Sequence, residues 1–174
     1  MKKIYLLLIA VTFLLTSCSL GGLNMAFFED DNQVAYNTFK QVVNAIQRKD
    51  ETVLKNLFSK RVRNEVSDFD ESVVDLLDFF QGEVISFDDR AGVGVDETIE
   101  YGKKRKEIQS SNSVKTSEQK YYIAIKECTK DTFDSDNVGV ISVYIINAEN
   151  WNVTVTYRGD GKWTLGIVID QKKE

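Results

Sequence analysis

The chemistry open to this chain rests on thiols, carboxylates, phenols and amines, because its 174 residues include no histidine. That absence removes Ser-His-Asp and Cys-His nucleophile pairs, the HExxH zinc site, and every side chain that titrates near neutrality when unperturbed. The two cysteines, Cys18 and Cys128, are too few for a four-cysteine zinc site or iron–sulfur cluster. A general acid–base pair would have to be built from carboxylates, Tyr or Lys, a glycosidase-like carboxylate pair being one such form. No residue is singled out as catalytic, cofactor-binding or metal-ligating. A net charge of −5 also argues against neutralising nucleic-acid phosphates. The expectation is a protein without a cofactor and without a nucleic-acid partner.

Cys18 stands at the end of the most specific signal in the chain. Lys2 and Lys3 precede an apolar stretch from Ile4 to Leu15, relieved by Tyr5 and Thr12, which is the charge and length pattern of an export signal. Twelve helical residues reach only about 18 Å, short of the roughly 30 Å hydrocarbon core, so a permanent transmembrane helix is the weaker reading. The stretch closes on Leu15-Thr16-Ser17-Cys18, which resembles a bacterial lipobox. The resemblance implies that diacylglycerol is attached to the Cys18 sulfur, that cleavage falls just before it, and that a doubly acylated (palmitate-type) N-terminus holds the protein to the cell membrane on its extracytoplasmic face. The competing reading is an ordinary signal peptide with an incidental cysteine. On the lipoprotein reading, residues 1–17 are the signal peptide, 18–30 a lipidated tether and 31–174 a single domain.

Removing residues 1–17 takes Lys2 and Lys3 from the 22 basic side chains and none of the 27 acidic ones, leaving 20 minus 27, or −7. That charge opposes contact with an anionic bilayer, so the lipid must do the holding. The tether, with Gly21-Gly22 inside, has a coil dimension on the order of 20 Å, although Leu23, Met25, Phe27 and Phe28 make it apolar enough to dock or touch lipid. With Cys18 consumed as a thioether, Cys128 is left as a free thiol that follows a strand-like run. It reads as structural rather than reactive.

The elements that must position any site fall in two blocks. From Asp31 to about Lys49, Ala35, Phe39, Val42, Val43 and Ile46 recur at helical spacing along one stripe. Asp50 is placed to cap a second helix carrying Val53, Leu54, Leu57 and Phe58, followed by a short segment with Val62 and Val66. A third helix is predicted with Asp70 as N-cap, Phe69 and Val74 as a hydrophobic staple, and Gly82 just past its end. Thereafter the period shortens to two and β-branched and aromatic residues accumulate. Strands are predicted near Val84–Asp88, Thr98–Ser110, Lys115–Lys126, Val138–Ala148, Val153–Tyr157 and Lys162–Ile169. The Val138–Ala148 run is apolar on both sides and reads as central, whereas Thr98–Ser110 reads as an exposed edge strand or hairpin.

Three helices followed by an antiparallel sheet define an α+β fold. The order and lengths look like the cone fold of nuclear transport factor two, with three helices packed on a strongly bent antiparallel sheet. The lipobox, Val138-Gly139-Val140-Ile141-Ser142-Val143-Tyr144 and Gly159-Asp160-Gly161-Lys162-Trp163-Thr164-Leu165-Gly166-Ile167 together resemble a family of small Gram-positive lipoproteins known as a domain of unknown function. That resemblance brings no catalytic residues. The cone implies only that ligand-contacting groups lie in its concave mouth, and that two copies can pair through the open sheet face.

The remaining motifs have ordinary readings. Arg158-Gly159-Asp160 spells an integrin-recognition tripeptide but stands where a hairpin turn needs Gly and Asp. Lys103-Lys104-Arg105-Lys106 reads as a solvated edge, with an anionic partner as the alternative. The acidic run Asp131–Asn137 lacks the Gly and distal Glu of an EF-hand and reads as a polar loop. The many aromatics of the second half either fill the cone or line a pocket, for which Tyr122, Tyr144, Phe87 and a carboxylate, Glu127 or Asp88, are the candidates. The expected function is a non-catalytic module binding a protein or a small molecule. A cone-fold enzyme using Asp and Tyr, and a surface inhibitor or immunity lipoprotein, are the alternatives.

Overall fold

Apolar periodicity sets the first helix, α1 (Asp31–Gln47), whose Ala35, Phe39, Val42, Val43, Ala45 and Ile46 are all buried. The computed structural model describes residues 30–88, 92–150 and 163–170. α1 ends at Lys49, which takes a positive φ of 54° while Asp50 N–H donates to Ala45 O at 2.9 Å. Asp50 then caps α2 (Glu51–Leu57), its Oδ1 accepting the Val53 N–H at 2.9 Å. Ser59 caps a further helix, α3 (Lys60–Glu65), its Oγ accepting from Val62 N–H at 3.3 Å. The fourth helix, α4 (Phe69–Phe79), begins one residue before the predicted cap. Asp68 is its N-cap without a side-chain bond, Asp70 lies in the first turn, Phe69 is buried and Val74 is 41% exposed, so the staple does not form. Gly82, at φ 81°, follows the end of α4.

The sheet has six strands: β1 (Val84–Phe87), β2 (Gly92–Glu100), β3 (Lys103–Thr116), β4 (Lys120–Asp131), β5 (Gly139–Asn147) and β6 (Gly166–Asp170). β3 is long enough to pair with two strands on one side, β1 along Val114–Thr116 and β2 along Lys103–Ser111, and with β4 on the other. β5 and β6 complete the order, and the sheet is not closed. Two expectations are corrected. Among the described residues the helices number four rather than three, because the short segment around Val62 is itself capped by Ser59. The sheet is mixed rather than antiparallel, because β6 runs parallel to β5, Ser142 pairing with Gly166 and Ile146 with Asp170. The predicted strand at Val153–Tyr157 and the Arg158-Gly159-Asp160 turn lie outside the described residues.

The predicted Thr98–Ser110 segment is a hairpin. β2 and β3 join through Tyr101 and Gly102, both at positive φ (49° and 78°), as a two-residue type I′ turn requires. Every side chain of the basic cluster meets a neighbour. Lys104 Nζ is 2.7 Å from Glu97, Arg105 pairs with Glu107, Lys106 with Asp31 at the start of α1, and Lys103 lies over the Phe133 ring. The four helices supply the apolar layer. Phe39, Val42, Ile46, Leu54, Val62, Leu76 and Phe80 pack on Val114, Tyr121, Ile123, Ile125, Val143 and Ile145. Gly139 is where the helical layer meets β5 most closely. A Cβ there would stand 2.8 Å from Ser59 N, which itself donates to Val140 O at 2.9 Å.

Candidate functional site

Strand alternation sends successive side chains to opposite faces, and cross-strand partners share a face. Ile123 pairs with Ile145 and belongs to the helix-packed layer. The neighbouring pairs Ser113 with Tyr122, Ser111 with Ala124, Ala124 with Tyr144 and Tyr122 with Ile146 therefore face away from the helices. On that face lies a cavity of about 260 Å³ lined by Asp88, Ser111, Ser113, Tyr122, Ala124, Tyr144 and Ile146. It also touches Asn112 and Ile123, whose side chains alternate to the helix face. The volume is close to the lower end of the roughly 300–1,000 Å³ range of small-molecule sites.

Several of the lining groups are held by hydrogen bonds or ring contacts. Ser113 Oγ donates to Asp88 Oδ2 at 2.5 Å, and Asp88 N–H donates to Ser113 O at 3.1 Å, fixing the end of β1 to β3. Tyr144 is buried; its hydroxyl accepts Thr164 N–H at 2.7 Å and its ring meets Trp163 edge-on with centroids 5.0 Å apart. Lys120 Nζ lies 5.1 Å from the centroid of Tyr122. Among the described lining residues Asp88 is the one carboxylate.

Of the five residues nominated from sequence, Tyr122, Tyr144 and Asp88 line this cavity together. Phe87 and Glu127 do not. Phe87 packs against Phe39 at 5.5 Å and Tyr36 at 6.2 Å between ring centroids, within the helix-facing layer. Glu127 is buried and its Oε2 accepts the hydroxyl of Thr38 on α1 at 2.8 Å, which ties β4 to the helix. Ser111 and Ser113 were not singled out as lining. Their signal is register: a residue opposite Tyr122 shares its face, and the sequence does not give the pairing.

Two regions that invite chemistry are structural. Cys128 is buried with its Sγ donating to Lys130 O at 3.4 Å, and burial pushes its thiol up, further from the reactive thiolate. In the acidic loop, burial of Asp131 favours its neutral form, but the opposing bonds win. Its Oδ1 accepts from Phe133 N–H at 2.8 Å and Asp134 N–H at 2.9 Å, its Oδ2 from Asn137 Nδ2 at 2.9 Å, and Arg105 stands 3.7 Å away. Together they hold the carboxyl below its ordinary value. Both Asp131 oxygens are thus spent on organising the loop, and among the described residues no cluster of three or more Cys, Asp or Glu is arranged to hold a metal ion. Among those residues, no helix is long and apolar enough to cross a membrane.

The residues that build the cavity on β3, β4 and β5 all fall inside a stretch with known relatives. No curated protein matches the chain. Residues 41–148, from within α1 to the end of β5, match the model of a domain of unknown function, DUF5104. This stretch is more than half of the 174 residues, and the chain belongs to the DUF5104 family.

Proposed function

We infer that the chain is a lipid-anchored extracytoplasmic lipoprotein whose domain, a bent-sheet cone of the nuclear-transport-factor-two type, binds a small molecule without transforming it. The cavity at Tyr122 and Tyr144 carries the binding reading. It combines two phenols, two serine hydroxyls and one carboxylate with the apolar surface of Ala124 and Ile146, the mixture that orients a small ligand while desolvating it. Binding is favoured over catalysis because the carboxylate of Asp88 is already engaged by Ser113 and faces no second carboxylate among the described lining residues. The cone is supported by three bulges, at Val84/Ser86, Lys106/Glu107 and Lys126/Glu127, which increase local twist and bend a sheet covered by helices on one face. The anchor is supported by Leu15-Thr16-Ser17-Cys18 alone.

Two measurements test the reading. Metabolic labelling with palmitate must mark the wild-type protein and not Cys18→Ser; an unlabelled wild type overturns the anchor. Thermal-shift screening of the full-length protein against a metabolite panel must yield a ligand whose effect Tyr122→Ala removes. At a hundred times its dissociation constant such a ligand adds about 2.7 kcal/mol of stability. A panel without a hit that depends on Tyr122 overturns the binding site.

A further inference from the structure

Glycine inside a strand weakens it, and its presence there has three usual causes: a positive φ, a neighbour too close for a Cβ, or something from outside the strand that approaches its backbone. At Gly92 and Gly94 of β2 the first two are absent. Neither has the positive φ seen at Gly82, Gly102, Gly139 and Gly166. Among the described residues, a Cβ at Gly92 would meet nothing within 4 Å, and one at Gly94 only the Gln109 Cβ at 3.9 Å, an ordinary contact.

Gly92 pairs with Ser111 and Gly94 with Gln109, so both lie on the face that carries the Tyr122 cavity. With Gln109, Ser111, Ala124 and Trp163 they line a second cavity of about 280 Å³, which shares Ser111 and Ala124 with the first. The two are compartments of one cleft. Trp163 is fixed in its wall, Nε1–H donating to Gln109 Oε1 at 3.0 Å and the ring meeting Tyr144 edge-on. Gln109 Nε2 donates in turn to Asp96 Oδ2 at 2.8 Å, so the amide cannot swing away.

The lining selects a ligand chemistry. A strip of backbone without side chains, the Trp163 indole and the half-buried Tyr122 ring offer flat surface for the C–H faces of a ring, and Ser111, Ser113, Gln109 and Asp88 offer donors and acceptors at its edges. No Lys or Arg is among the described lining residues of either compartment, and Asp88 is their one charge, which disfavours anions. We propose that the cleft binds a neutral oligosaccharide, one sugar ring in the Tyr122–Tyr144 compartment and the next lying on the Gly92–Gly94 strip beside Trp163. This rests on the reading of the first cavity as a ligand site.

The test is calorimetric titration of the full-length protein in detergent micelles with cellotetraose and with the N-acetylglucosamine tetrasaccharide, using inorganic phosphate and choline as charged probes. One of the tetrasaccharides binds. Gly94→Leu weakens it at least tenfold with the melting temperature unchanged or raised, because the new side chain enters open space, and Gly92→Ala weakens it less. Tetrasaccharide binding indifferent to Gly94→Leu overturns the proposal. If no saccharide binds while phosphate, choline or a panel metabolite does so in a manner that depends on Tyr122, the saccharide class is rejected and the cavity remains a ligand site. Silence from every probe and from the panel rejects both.

Discussion

The two faces of the sheet divide the labour of the molecule. Toward the helices, Val114, Tyr121, Ile123, Ile125, Val143 and Ile145 are closed over by Phe39, Val42, Ile46, Leu54 and Leu76, and this layer holds the fold together. The opposite face is hydroxyl, amide and aromatic near Ser113, Tyr122 and Tyr144, and charged around Asp96, Arg105, Glu107 and Lys126. Polar side chains that stabilise nothing in a dry layer are inexpensive on a face that meets solvent or a ligand. The alternation of β3, β4 and β5 thus separates the layer that holds the fold from the face that carries the proposed binding site, one residue at a time.

The largest break in this contrast comes from Phe39→Ala. Phe39 is fully buried in α1 against Phe87, and its truncation is expected to cost about 3–5 kcal/mol in chemical denaturation. Next is Asp131→Asn, expected to cost about 2 kcal/mol because a charged acceptor of three hydrogen bonds is lost. Its pH signature has a fixed sign. The folded carboxyl titrates below its unfolded value of 3.8, so its stabilisation is complete above that value and disappears as pH falls through the lower folded one. Denaturation curves between about pH 5 and 2 should be flatter in the variant than in the wild type.

A smaller effect, of opposite sign, sharpens the comparison. Asn112 is 4% exposed on the helix-facing side, opposite Ile123, and among the described residues neither its Nδ2 nor its Oδ1 has a hydrogen-bond partner. Asn112→Val removes two unsatisfied groups from the apolar layer and should raise stability by about 1 kcal/mol; a loss would mean that the amide is worth its burial. Smallest of all, Tyr122→Ala, on the opposite face and half-buried, should change stability by under about 1 kcal/mol while abolishing ligand-induced stabilisation.

What the sequence disclosed followed signal strength. α1 was legible because six buried residues share one helical stripe, and the α1–α2 junction because Asp50 caps in the expected way. α3 was missed because six residues with one buried side chain, Val62, carry no periodicity. A hairpin within Thr98–Ser110 was one of two readings, but the position of its turn was not legible, since Tyr101-Gly102 is not one of the dipeptides that announce a type I′ bend. The parallel placement of β6 depends on which strand it lies beside, which local pattern does not encode. The candidate site was half visible. Tyr122 and Tyr144 stand in apolar alternation, and parity along β4 already sets Glu127 on the other face from Tyr122; separating them from Phe87 required the register of β1 on β3.

The parallel pairing of β6 has one more consequence. Its five residues, added from the far end of the chain, cover the flank of β5, where Ile141, Val143 and Ile145 are otherwise an uncharged, β-branched run with a row of open amides and carbonyls. Such a contact joins positions over twenty residues apart in sequence, and until it forms the flank is a template for another chain. The last strand is in this sense a guard against self-association, and a chain that stops short of Gly166 should be lost to insoluble material sooner than to simple unfolding.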